Sequence, residues 1–284
     1  MTQLADPPEA GPAASGPPPW AAQDGYAFRF DWGPNGLRNL ARHADVLVVV
    51  DVLRFTTAVS VALEQGGTVL PYRWKDEGAA AFAAEHGALL AEPTDPPEGS
   101  GRWSLSPSVL RHLPRGTRLV LPSPNGAALV FAAKGHGARM VLTASLRNAS
   151  AVGRFARAFG GADGVVAVLA AGERWNGATG PLRPAVEDLI CAGAVLTALD
   201  PAGSISAPGC SPEAQTARAA FVAARPRLHE LLADAASGRE LIGRGRGEDV
   251  RLAAQLDVAT TVPLLRDGAL VDAGATPPQS AVRR

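Results

Sequence analysis

Val46-Leu47-Val48-Val49-Val50-Asp51-Val52-Leu53-Arg54-Phe55-Thr56-Thr57 is the stretch whose reading decides the fold of this chain. Apolar, mostly β-branched residues run straight into an aspartate, and an arginine and two threonines follow. An unbroken apolar run of this kind predicts a strand covered on both faces, as in a parallel sheet between helices. Beyond it, Phe55, Val59, Ala62 and Leu63 recur at helical spacing, so the chain turns from strand to helix at the polar cluster. Ligands of open α/β sheets bind outside the carboxyl ends of the strands, where Asp51 falls. A carboxylate, a guanidinium, two hydroxyls and a helix N-terminus meet there, a combination suited to a metal ion and a phosphate. The plainer alternative makes Asp51 a helix cap and Thr56 and Thr57 ordinary first-turn residues.

Working outward, strand and helix patterns alternate along the chain. Strands are expected at Tyr26 to Trp32, Thr68 to Tyr72, Ala88 to Ala91, Arg118 to Leu121, Arg139 to Thr143, Val165 to Ala170 and Thr261 to Leu265. Helices are expected at Asp76 to His86, Ser106 to Leu113, after Gly126 to Lys134, after Asn148 to Phe159, and at Pro184 to Leu199. Pro212 to Ala236 reads as helical with a break near Pro226, and Ser237 to Gly243 and Glu248 to Gln255 as shorter helical pieces. Gly33-Pro34-Asn35-Gly36 reads as a turn and Glu92 to Arg102 as a Pro/Gly loop. Repeated strand-then-helix units predict a three-layer α/β fold, with a mainly parallel, at most mixed, sheet flanked by helices. Residues 1–22, rich in Pro and Ala, read as a disordered arm, residues 23–272 as a single domain, and residues 273–284 as a flexible tail.

The 27 basic residues balance the 27 acidic ones, and no Lys/Arg stripe interleaves with aromatics, which argues against nucleic-acid binding. Apolar runs stop short of a membrane span, and the N-terminus lacks a signal-peptide pattern. The expectation is a cytoplasmic protein without membrane association; a homodimer is left open. Cys191 and Cys210 make no disulfide framework, and the five histidines show no zinc spacing.

Further polar clusters follow predicted strands: Ser123, Asn125 and Gly126; Ser145 and Asn148; Glu173, Arg174 and Asn176. Parallel strands would bring them to one sheet edge with Asp51. Asn125-Gly126 also suits a plain turn and Ser145 and Asn148 plain helix caps. Glu187 and Asp188 open a helix. Helix neighbours point in different directions, so one carboxylate is expected to face the site while the other is solvated or supports it from behind.

Together these pieces resemble the 2-phosphosulfolactate phosphatase family, Mg²⁺-dependent hydrolases of the coenzyme M pathway. The resemblance is carried by Asp51 to Thr57, Ser123-Pro124-Asn125-Gly126, Ser145-Leu146-Arg147-Asn148 and Ala170-Ala171-Gly172. It continues through Glu187-Asp188-Leu189-Ile190-Cys191-Ala192-Gly193, Asp249, Asp257 and Val262-Pro263, over roughly residues 45–272. It implies an α/β fold, a bound Mg²⁺, and hydrolysis of a small phosphate ester, 2-phosphosulfolactate, to 3-sulfolactate and phosphate. Carried over, Asp51 and the Glu187/Asp188 pair hold the metal, and Asp51 and Arg54 are catalytic. Thr56, Thr57, Ser123, Asn125, Gly126 and Asn148 bind substrate, and Arg174 takes its sulfonate or carboxylate end. Attack by water and attack by Asp51 itself are both compatible with the resemblance. The second aspartate of the haloacid-dehalogenase D-x-D signature is replaced by Leu53, which favours water. Ser104-Leu105-Ser106-Pro107 stands where the family carries a Gly-Asn-Ser-Pro-like segment. That departure, with the insertion at Glu173 to Gly177, leaves two alternatives: a phosphatase of another small phosphorylated acid, or a non-catalytic binder of phosphate or sulfonate.

Overall fold

The computed structural model describes residues 18–73, 77–97, 99–175, 180–200 and 209–274. The expected arm up to residue 17, the helix start at Asp76, Asn176 and Gly177 of the polar loop, and the tail from residue 275 lie outside the described residues. The chain threads β1 (Phe28–Trp32), α1 (Gly33–Leu40), β2 (Val46–Val50), α2 (Phe55–Glu64), β3 (Thr68–Tyr72), α3 (Gly78–Glu85), β4 (Leu89–Leu90), α4 (Pro107–Leu110) and β5 (Arg118–Pro122). Next come α5 (Gly126–Ala133), β6 (Met140–Ala144), α6 (Ala149–Gly160), β7 (Val166–Ala170), a hairpin of β8 (Glu173–Arg174) and β9 (Leu182–Arg183), and α7 (Val186–Leu199). α8 (Pro212–Ala224), α9 (Leu228–Asp234), α10 (Ala236–Gly243) and α11 (Gly247–Ala253) precede β10 (Pro263–Arg266) and β11 (Ala269–Asp272).

Nine strands form one sheet in the order β1-β7-β2-β6-β10-β11-β3-β5-β4. β1, β7, β2 and β6 are mutually parallel, as are β3, β5 and β4. Between the two blocks lies the β10–β11 hairpin, antiparallel to both neighbours. The sheet is therefore mixed, and helices cover both faces.

β2 shows why its sequence is apolar without alternation. Val46, Val48 and Val50 pack into one core with Phe155, Val195 and Phe221, while Leu47 and Val49 pack into the other with Phe55, Val59 and Leu110. Each such side chain, fully withdrawn from water, contributes about 1.5–3 kcal/mol. The strand is the shared wall of two cores.

The same arrangement positions the site. After β2 the chain enters α2 on one face of the sheet, and after the neighbouring β7 it reaches α7 on the other. Adjacent parallel strands whose following helices diverge leave a crevice at their carboxyl ends. Asp51 stands at that crevice.

Three local expectations need correction. Gly33-Pro34-Asn35-Gly36 is the first turn of α1, not a loop turn. Proline near a helix start costs nothing, because its missing N–H would be unpaired there anyway, and Leu37 and Leu40 then bury. Pro19–Ala22, assigned by composition to the arm, forms a 3-10 turn tied down by Arg29, whose Nη1 donates to Ala22 O at 2.7 Å. The final strand has a partner: Asp267 and Gly268, both at positive φ, turn the chain from β10 into β11. Asp-Gly is a strong hairpin signal. Among the described residues no helix is long and apolar enough to cross a membrane.

Candidate active site

Asp51 is the first residue beyond β2, and its surroundings are built to hold it still. Its backbone N–H donates to Thr56 Oγ1 at 3.1 Å, and its carbonyl accepts from the same hydroxyl at 2.8 Å. Thr57 Oγ1 donates to Val52 O at 2.7 Å. Both threonine hydroxyls are thus turned inward to tie the strand end to the first turn of α2, rather than outward to a ligand. The Asp51 carboxylate reaches across to the end of β5. Its Oδ2 accepts the Gly126 N–H at 2.7 Å, with Ser123 Oγ at 3.5 Å. A Cβ on Gly126 would lie 2.6 Å from that oxygen and 2.6 Å from Phe55 Cδ1. The glycine is what lets the helix N-terminus approach the carboxylate.

The two acids of α7 have different surroundings. Asp188 is neither solvated nor open to the crevice: Oδ1 accepts the Val52 N–H at 2.8 Å and Oδ2 the Gly172 N–H at 2.9 Å. It clips the residues following β2 to those following β7. Glu187 is buried beside it, and its Oε2 has no hydrogen-bond partner among the described residues. Glu173, on β8, completes the group; Asn125 Nδ2 donates to its Oε2 at 3.0 Å. Strand neighbours face opposite ways, so Glu173 lines the Asp51 cleft while Arg174 lines a separate pocket and donates to Gly180 O at 3.0 Å.

Packing these acids together is electrostatically expensive. Burial pushes the Asp51 carboxyl up to about 6, and the nearby Glu187 charge adds to the rise against the hydrogen bonds that lower it. Burial first, then Asp51 and Glu187, push Glu173 up to about 7. Asp188 is raised for the same reasons, burial foremost. Among the described residues, no lysine or arginine pairs with Asp51, Glu187 or Asp188. Arg54 lines the same cleft but is committed to other carboxylates.

Arg54 has the opposite difficulty. Its Nη1 meets Asp95 Oδ2 and Asp249 Oδ2, each at 2.8 Å. Burial disfavours its charge, but these two carboxylates outweigh that and hold its pKa above the usual value. Both aspartates are themselves fixed by the segment Ser104-Leu105-Ser106-Pro107. Ser104 Oγ donates to Asp95 Oδ1 at 2.7 Å, and Ser106 Oγ to Asp249 Oδ1 at 2.7 Å. Ser104, which stands where the pattern has glycine, thus steadies one of the two aspartates that clamp Arg54, and Ser106, which matches the pattern, steadies the other. Asp51, Arg54, Ser123, Asn125 and Glu173 line one cleft of about 240 Å³. The larger space of about 640 Å³ lies on the α1–α5 side and holds none of the carboxylates. We assign the chemistry to the smaller cleft, because a reaction needs charged groups that converge.

Asn148 is not brought into this cleft. Its Oδ1 accepts from Ser145 N and Oγ at 2.9 and 3.1 Å, and its Nδ2 donates to Thr261 O at 2.9 Å. It is fully buried, and every polar atom is occupied in anchoring the start of α6 to the approach to β10.

The family model of 2-phosphosulpholactate phosphatase matches residues 34–268. The chain belongs to this family. A Thermus thermophilus protein named "Probable 2-phosphosulfolactate phosphatase" is 34% identical over 232 residues, covering 79% of this chain and 89% of that protein. One from Deinococcus radiodurans with the same name is 31% identical, covering 83% and 93%. The Methanothermobacter thermautotrophicus 2-phosphosulfolactate phosphatase is 28% identical, covering 78% and 87%.

For this member of the 2-phosphosulfolactate phosphatase family, sequence reasoning left out several residues of the site. Glu173 is visible as a polar residue past a strand, but only the folded chain shows that it, and not Arg174, lines the cleft with Asp51. Asp95 and the residues of α10 that line the cleft carried no local signal.

Proposed function

We propose that this protein hydrolyses 2-phosphosulfolactate to 3-sulfolactate and phosphate, with one Mg²⁺ held between Asp51 and Glu187. Family membership supplies the coarse class, a hydrolase of phosphoric monoesters. The observation that carries the finer reading is Glu187 Oε2, a buried carboxylate oxygen with no partner among the described residues, whose charge is felt at Asp51. Burying a carboxylate oxygen unsatisfied costs about 1–3 kcal/mol or more, and a hard cation removes that cost. Among the described residues no three His, Cys, Asp or Glu side chains form a ready-made cluster. Mg²⁺ does not need one, because it takes one or two carboxylates and completes its shell with water and substrate phosphate.

Bound there, the ion would neutralise phosphoryl charge and polarise the ester. The chain's own groups do the rest. Arg54 directs its guanidinium, held from behind by Asp95 and Asp249, at phosphoryl oxygens, whose geometry it matches. Ser123 and Asn125 offer a hydroxyl and an amide beside it. Glu173, its carboxyl pushed up to about 7, would take a proton from the attacking water, since a base works best with a pKa near the operating pH. In-line attack forms a P–O bond to the water oxygen and breaks the P–O bond to the ester oxygen, and the leaving alkoxide takes up a proton from solvent, matching the one Glu173 removes, to become the hydroxyl of sulfolactate. Phosphate release from a panel of phosphorylated acids, with Mg²⁺ and with EDTA, tests this reading. Mg²⁺-dependent release fastest from 2-phosphosulfolactate is the expected result; binding without release from any ester contradicts it.

The shifted carboxyls predict a pH signature. Asp51 and Glu173 bind protons more tightly folded (about 6 and 7) than their ordinary values of 3.8 and 4.5. Their contribution to stability is therefore fully present below those ordinary values and lost as pH rises through the folded ones. A bound cation reverses the loss, and protons compete with it. The rise in Tm on adding Mg²⁺ to chelator-treated protein should accordingly be larger at pH 8 than at pH 5.5. An equal or larger rise at pH 5.5, read by scanning fluorimetry, would contradict the assignment.

A further inference from the structure

Helix α10 forms one wall of the cleft. Ser237, Glu240, Leu241 and Arg244 recur at i, i+3, i+4 and i+7, which is one helix face, and all four line the cleft with Asp51. The wall is fixed in place: a Cβ on Gly238 would sit 1.8 Å from the Leu232 carbonyl oxygen, so α10 lies directly on the backbone of α9.

The charges on the two sides of the cleft are unequally committed. Arg54, 15% exposed, already answers two carboxylates, the half-buried Asp95 and the buried Asp249. Arg244 is 70% exposed, and its partner in the structure is Glu240, one turn back, at 2.7 Å. An exposed pair at that spacing is among the weakest ion pairs and is cheaply exchanged for another anion. A phosphate seated at Asp51 and Arg54 would leave the rest of a small ester facing α10. Arg174, the sequence-based choice for that end, faces the other pocket.

We infer that Arg244 is the specificity-determining residue: it leaves Glu240 and takes the second anionic group, carboxylate or sulfonate, of the substrate. This inference rests on the phosphatase reading and adds the residue that reads the second anion of its substrate. The cleft selects small phosphate esters that carry at least one further anion. An ester of a simple alcohol brings nothing to displace Glu240.

The test compares kcat/KM for 2-phosphosulfolactate with that for isopropyl phosphate in wild type, Arg244→Ala, Arg244→Lys and Glu240→Gln. Arg244→Ala should lower the ratio about 10- to 100-fold, the range expected for one charge-assisted hydrogen bond, chiefly through KM for the acid. Arg244→Lys should recover part of that loss, and Glu240→Gln should keep or raise the ratio. Both residues are exposed, and circular dichroism confirms folding. A ratio unchanged in Arg244→Ala, while wild type cleaves 2-phosphosulfolactate, overturns the inference alone. Wild type that cleaves neither ester overturns the phosphatase reading and this inference with it.

Discussion

Asp51→Asn should abolish turnover while making the metal-free protein more stable. On the proposed Mg²⁺ site, removing one anionic ligand would leave Glu187 to hold the cation alone, and a loss of about 1,000-fold or more in kcat corresponds to about 4 kcal/mol of transition-state stabilisation. The amide oxygen can still accept the Gly126 N–H that Asp51 Oδ2 accepts at 2.7 Å, so the local structure survives. The substitution also removes a buried charge whose ionisation is opposed by desolvation and by Glu187. At pH 8 without metal that relief is on the order of 3 kcal/mol, so Tm should rise. Paired measurements of kcat and chelator-treated Tm check both signs. A variant that is less stable and still active would mean that Asp51 is a structural cap.

Gly126→Ala is the second large effect, and helix propensity predicts its sign wrongly. At an exposed helical position the change from glycine to alanine stabilises by about 0.5–1 kcal/mol. At Gly126 the added Cβ lies 2.6 Å from Asp51 Oδ2 and 2.6 Å from Phe55 Cδ1, and Phe55 is fully buried. Neither wall can retreat without moving the core. The expected cost is about 1–3 kcal/mol of overpacking, which outweighs the propensity gain. Because α5 must shift away from Asp51, the carboxylate loses its N–H donor, and displacement of a reacting group by about 1 Å costs about 100-fold in rate. Thermal melts and phosphate release together test the claim. An alanine variant as stable and as fast as wild type would show that the approach of α5 is not needed.

How far the sequence could be read follows from how local each signal is. The run from Val46 to Thr57 announces a strand, its carboxyl end and the next helix, because all three are encoded by neighbours. The repeated strand-helix units announce the layers in the same way. The mixed character of the sheet is non-local. β10 and β11 are last in the chain yet pair with β6 and β3 in its middle, and no property of residues 263–272 says where they insert. Side-chain direction is similarly hidden. Thr56, Thr57 and Asn148 have the right chemistry for a phosphate, but their hydrogen bonds go to the protein's own backbone and to Ser145. Asp188 looks equivalent to Glu187 until Val52 and Gly172 are seen to occupy it. The clamp on Arg54 joins residues as far apart as Asp95 and Asp249, a partnership that exists only once the chain is folded.

The central claim is that Asp51 and Glu187 together hold one Mg²⁺, and titration calorimetry of the metal-free protein at pH 8 addresses it most directly. One Mg²⁺ per chain should bind wild type, and binding should be lost in Glu187→Gln, a variant that stays folded because the substituted carboxylate oxygen Oε2 had no partner among the described residues to lose. Undiminished Mg²⁺ binding by folded Glu187→Gln would contradict the account.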